Sequence, residues 1–193
     1  MLQEPKKLDA DTEDTYECAL ELEKLFKTAN IAPVMTMVLY EFLSDVIDNK
    51  IEIGPSMYEY LQELFEDKIN ISFLTDATDA QIHLRSKAYL ILALELLCHG
   101  NLVNGLRLPL KSFLSEEQSK FSVILKTSNF NLTSRGINFI KKVDEIKTNR
   151  ILGESLITRL SNVTFECIEY ILKRYKKKSQ VADDVIVIDS IQA

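Results

Sequence analysis

The sequence predicts an all-α protein, and three observations carry that expectation. Gly and Pro number only 5 and 4 in 193 residues, so long stretches run without a breaker. Apolar residues recur at i, i+3, i+4 and i+7 in one segment after another, the spacing of a single buried helix face. No stretch before residue 181 sustains the period-two alternation of a half-buried strand. The expected architecture is an irregular helical bundle or a short helical-hairpin stack of about seven helices with a flexible C-terminal tail. No fixed-length repeat is present. With 46% hydrophobic and 27% charged residues the chain suits one domain, a helical protein-interaction domain over residues 1–178, followed by a tail over 179–193.

The elements follow in order. After an acidic leader, Thr15 to Ala29 reads as a helix with Cys18, Leu22, Leu25, Phe26 and Ala29 on one face. Pro33 suits the first turn of a second helix reaching about Asp48, apolar on several sides and therefore central. Gly54-Pro55 breaks the chain, and Ser56 with Glu59 has the spacing of a capping box opening a third helix to about Lys68. Residues 69–78 read as a loop. Asp79 is the expected cap of a core helix, Ala80 to His99, which Gly100 stops. Beyond a Leu-rich segment divided by Pro109, a helix is expected over Ser115 to Lys126 with Phe121, Ile124 and Leu125 inward. Another spans Thr133 to Lys147, with Ile137, Ile140, Val143 and Ile146 inward. The last runs from about Ile151 to Lys177, burying Leu156, Leu160, Val163, Ile168, Ile171 and Leu172.

The net charge of −6 hides an asymmetry. Residues 1–100 hold 8 Lys/Arg against 19 Asp/Glu (net −11), and residues 101–193 hold 15 against 10 (net +5). The simpler reading is that acidic and basic helices neutralise each other across the fold. The sharper one is a basic surface for an acidic partner or nucleic acid.

Little else points to chemistry. Cys18, Cys98 and Cys167 form no CxxC and no Cys/His cluster, so a disulfide framework or zinc site is not expected, and all three read as buried intracellular thiols. The first residues are too polar for a signal peptide, and no apolar run is long enough to cross a bilayer. The sequons at Asn131 and Asn162 read as chance. His83 and His99 are too far apart to share adjacent turns, and His99 at a helix C-terminus is expected as a cation facing the macrodipole. Nucleotide-binding, hydrolase and zinc-protease signatures are absent. No enzyme activity, metal or cofactor is expected.

Two positive signals remain. Lys173-Arg174-Tyr175-Lys176-Lys177-Lys178 resembles a short basic nuclear-import signal. Basic residues that close a helix against its dipole have the same composition, and the same five cations are the best candidates for phosphate contact. The second signal is the tail: Asp183 and Asp184, then Val185-Ile186-Val187-Ile188, then Asp189 and Ser190. Four consecutive β-branched aliphatics favour extended geometry, and alone in a tail they bury nothing. They could pair with a sheet in this chain or a second copy, but an all-α body offers no obvious sheet.

With acids on both sides, residues 183–190 resemble a SUMO-interacting motif; no family is identified for the helical body. The resemblance implies a peptide that adds a strand to the SUMO sheet. Val185, Val187 and Ile188 would enter the groove, with Ile186 outward or exchanging roles if the strand reverses. Asp183, Asp184 and Asp189 would face the basic rim, and phosphorylation of Ser190 would add charge there. Affinity is expected to be weak, with Kd about micromolar or worse, because ordering a short strand costs entropy. The expected function is a non-enzymatic nuclear adaptor or scaffold, in DNA repair or chromatin assemblies. Its helical body would bind a protein partner and its tail SUMO or sumoylated proteins, with no membrane role. The alternative is a helical nucleic-acid-binding protein that uses the basic C-terminal half.

Overall fold

Pro33 sets the start of the central helix. It sits in the first turn, where a missing N–H costs nothing and its fixed φ suits the helix. The fold is that of a computed structural model, which describes residues 16–27, 31–72, 78–108, 124–149 and 155–192. Among these, six α-helices supply most of the regular structure: α1 (Tyr16–Lys27), α2 (Ala32–Ile47), α3 (Ser56–Ser72), α4 (Asp79–His99), α5 (Ser134–Thr148) and α6 (Leu156–Gln192). The described residues are all-α in class, with six helices where about seven were expected for the chain.

Helix α2 is buried along most of its length (Val34, Met35, Val38, Leu39, Phe42, Leu43) and packs against α6, α3 and α5. Its polar Thr36 is fully buried too. The Thr36 hydroxyl lies 2.6 Å from the Leu160 carbonyl and 2.7 Å from the Thr164 hydroxyl, which also reaches the Ala32 carbonyl at 3.3 Å. These pairings set α2 and α6 antiparallel, 32 opposite 164 and 36 opposite 160. Tyr40 donates to Asp144 at 2.5 Å and Lys68 pairs with Glu41 at 2.7 Å, tying α2 to α5 and to α3. Lys68–Glu41 and Lys142–Glu166 each pair within one half of the chain, so they leave the charge asymmetry between the halves in place.

Helix α4 opens with a capping box on Thr78 and Gln81, so Asp79, the expected cap, is already in the helix. A small antiparallel ribbon follows α4, made of β1 (Val103–Asn104), β2 (Leu106–Arg107), β3 (Ile124–Leu125) and β4 (Asn131–Leu132). Val103 faces Leu132, and Leu106 faces Leu125. Gly105 joins β1 to β2 at φ +85°, and its carbonyl accepts from the Lys126 N–H at 2.7 Å. A side chain there would meet Lys126 and Phe130 backbone atoms at 2.9 Å. The helix expected over Ser115 to Lys126 is corrected at its end, where Ile124 and Leu125 are strand. Residues 115–123 lie outside the described residues. Strands of two residues are too short to show an alternating pattern, which is why the sequence did not announce them.

Helix α5 begins at a Thr133 cap, whose hydroxyl accepts from the Gly136 N–H at 3.1 Å. Its buried face is Gly136, Phe139 and Val143. Ile137, expected inward, is 40% exposed. The face is turned because Gly136 lies against the Leu102 carbonyl, where an added Cβ would come within 2.2 Å. Helix α6 buries Leu160, Val163, Cys167, Ile168 and Ile171, but Leu156, also expected inward, is 55% exposed, one turn beyond the core.

In place of the expected extended tail, the backbone of α6 is helical to Gln192, crossing residues 178 and 179 without a break. A helix anchored in a core elongates without paying nucleation again, and residues 173–192 contain neither Gly nor Pro. The lower helix propensity of Val and Ile is only about half a kcal/mol per residue.

Candidate functional site

The residues singled out by sequence all fall on α6. Lys173, Arg174, Lys176, Lys177 and Lys178 come first, and Asp183, Asp184, Val185, Ile186, Val187, Ile188 and Asp189 follow on the same helix. Leu172 still packs on the core, whereas Lys173 and Arg174 are exposed. At 37 residues the helix is about 55 Å long, and Leu160 to Leu172 carry its described contacts with the core.

Arg174 is more than a surface cation. Its charge bears on Cys98 and His99 at the end of α4, where several polar groups meet. Glu95 is fully buried, with its carboxylate 3.4 Å from His99 Nε2. The same Nε2 lies 2.9 Å from the Leu108 carbonyl, and Cys98 Sγ donates to the Leu106 carbonyl at 3.2 Å. Burial pushes His99 down to about 4, with Arg174 adding to the effect and the Leu108 contact opposing it. The imidazole is therefore neutral at pH 7, with Nε2–H donating to Leu108. This corrects the expectation of a cation facing the helix dipole: desolvation outweighs the macrodipole here. The Cys98 thiol is likewise pushed up by burial, which leaves it a poor nucleophile.

A second histidine cluster lies between α3 and α4. His83 Nδ1 is 2.9 Å from Glu66 Oε1, to which buried Ser86 donates at 3.3 Å. Ser86 Oγ is also committed to the His83 carbonyl at 2.7 Å. Ser86 is fully buried, and through these contacts the cluster clasps α3 to α4.

A cleft of about 360 Å³ lies between α5 and α6. Its floor is apolar and buried: Leu102, Phe139, Val163 and Cys167. Its rim is charged: Arg135, Lys141 and Lys142, with Glu145 and Glu166. Lys142 pairs with Glu166. Arg135 donates to the Gly100 carbonyl at 3.2 Å and lies over the Tyr170 ring at 3.5 Å, so the cation is held in place. Burial pushes the Cys167 thiol up to about 12, which disfavours its thiolate. The cleft offers apolar contact with charge selection at its edge. Sequence reading named none of it as a site. Its parts are core positions of two helices plus ordinary surface lysines, and only the α5–α6 packing brings them together.

Among the described residues no group of three or more His, Cys, Asp or Glu is placed to hold a metal ion. No single described helix is long and apolar enough to cross a membrane. No family model, curated protein or solved structure matches the chain.

Proposed function

We propose that this protein is a non-enzymatic nuclear adaptor, in DNA repair or chromatin assemblies. Its helical body binds a protein partner, and the segment Asp183 to Asp189 binds SUMO or sumoylated proteins. The observation that carries the reading is the acid-flanked Val185-Ile186-Val187-Ile188 run, placed on α6 beyond Leu172. Strand addition to SUMO requires this stretch to leave the helix. Four β-branched residues, and Asp189 in the last turn of α6 where the dipole disfavours an acid, keep that change inexpensive. Affinity is weak and is raised by the body's own partner.

The test is a titration of isotope-labelled SUMO with the full chain and with the Val185→Ala/Ile186→Ala/Val187→Ala/Ile188→Ala variant. Shifts confined to the SUMO groove, and lost in the variant, support the reading. No shifts at high protein concentration overturn it.

A second reading, nucleic-acid binding through the basic half, is supported by the +5 balance of residues 101–193 and by exposed Lys141, Lys147 and Lys173. Binding of that kind falls steeply with salt, while SUMO binding is less sensitive.

A further inference from the structure

We propose that the cleft between α5 and α6 is a docking site for the acidic–aliphatic segment Asp183 to Asp189 of a second copy of this chain. The cleft, at about 360 Å³, lies at the small end of ligand pockets, the size of an anchor for a few aliphatic groups. Its floor of Leu102, Phe139, Val163 and Cys167 contributes no charge. Around the floor, Lys142 and Glu166 satisfy each other, which leaves Arg135 and Lys141 as the cations facing an incoming group, against Glu145 alone. Arg135 is fixed by the Gly100 carbonyl and the Tyr170 ring, so little ordering is lost when a carboxylate meets it.

The occupant therefore carries aliphatic side chains with carboxylates immediately beside them. Residues 183–189 have that composition: two Asp, four Val/Ile and a third Asp. Contact within one chain is ruled out while α6 is continuous, because Cys167 and Asp183 are then about 24 Å apart along one axis. The pairing is thus between copies. It removes the same segment from SUMO, so self-association and SUMO binding exclude each other.

The experiment is sedimentation velocity on the full chain over a wide concentration range, at low and high salt. The wild type is expected to dimerise reversibly, less so at high salt. Two charge-reversed variants are then compared: Lys141→Glu/Lys142→Glu at the cleft, and Asp183→Lys/Asp184→Lys/Asp189→Lys in the segment. Each alone is expected to self-associate at least tenfold more weakly while keeping its helical circular dichroism, and an equimolar mixture is expected to recover a heterodimer. A wild type that stays monomeric overturns the inference. So do variants that dimerise like the wild type, or a mixture of folded variants that does not associate. Added SUMO separates the two proposals: if the dimer forms and SUMO neither binds nor dissociates it, only the SUMO reading fails.

Discussion

Thr36 and Thr164 place their hydroxyl oxygens 2.7 Å apart, with both side chains fully buried, where α2 packs on α6. This is the polar register mark of an otherwise apolar interface. Each hydroxyl also reaches backbone carbonyls, those of Leu160 and Ala32 for Thr36 and that of Ala32 for Thr164. Thr36→Val and Thr164→Val are each expected to cost about 1 kcal/mol, since the hydroxyl that remains keeps a carbonyl. The double variant should cost about 0.5–1 kcal/mol less than the sum, because the shared bond is then counted once. Urea unfolding of the four proteins measures this. Strict additivity would show that the two hydroxyls do not interact.

Gly136→Ala tests the seat of α5. On helix propensity alone, Ala should stabilise by about 1 kcal/mol. The added methyl would lie 2.2 Å from the Leu102 carbonyl oxygen, a backbone atom that cannot swing away. A net loss of about 2 kcal/mol or more is expected, read as a lower urea midpoint. A gain in stability would mean that α5 can lift off the ribbon freely.

His99 gives stability a dependence on pH. Its folded value is about 4 against an ordinary 6.5, so between those limits the unfolded chain takes up a proton that the folded chain refuses. Stability is fully present above about 6.5 and falls as pH is lowered toward 4, by on the order of 3 kcal/mol from this group. His99→Gln should flatten that part of the profile. Arg174→Gln, by removing a nearby cation, should raise the His99 value. Imidazole chemical shifts followed against pH check both.

The three thiols should differ sharply between the folded and unfolded chain. Burial pushes Cys167 to about 12 and raises Cys98, and Cys18 is buried at 7% exposure. Native protein at pH 8 should take up iodoacetamide very slowly at all three, and denatured protein rapidly at each, as counted by intact mass. Fast native labelling of Cys167 would mean that the cleft floor opens.

Long apolar periodicity carried the fold. Helices α2 and α4 were placed by Pro33, the Leu-rich face and Gly100 acting together, each local signal agreeing with the packing. What failed was set by tertiary contact. Ile137 has the better helical spacing, but Gly136 turns Phe139 inward by letting a backbone carbonyl sit where a side chain would be. His99 sits where a cation is favoured in an exposed helix, and burial reverses its charge. Val185 to Ile188 favour a strand by residue type, yet they continue an anchored helix. The cleft was invisible for another reason: its lining comes from residues 102, 135–145 and 163–167, and no spacing in a sequence reports that juxtaposition.

The pairing of Arg107 with Ile124 also makes the molecule open to engineering. Antiparallel partners hold their Cα atoms about 5 Å apart, so the two ends of the chain between these residues are held side by side. Changing the length of a closed loop costs only about 0.6 kcal/mol per doubling. A fluorescent reporter grafted between Leu108 and Ile124 should therefore leave the fold intact, tracking the protein without a tag at either terminus.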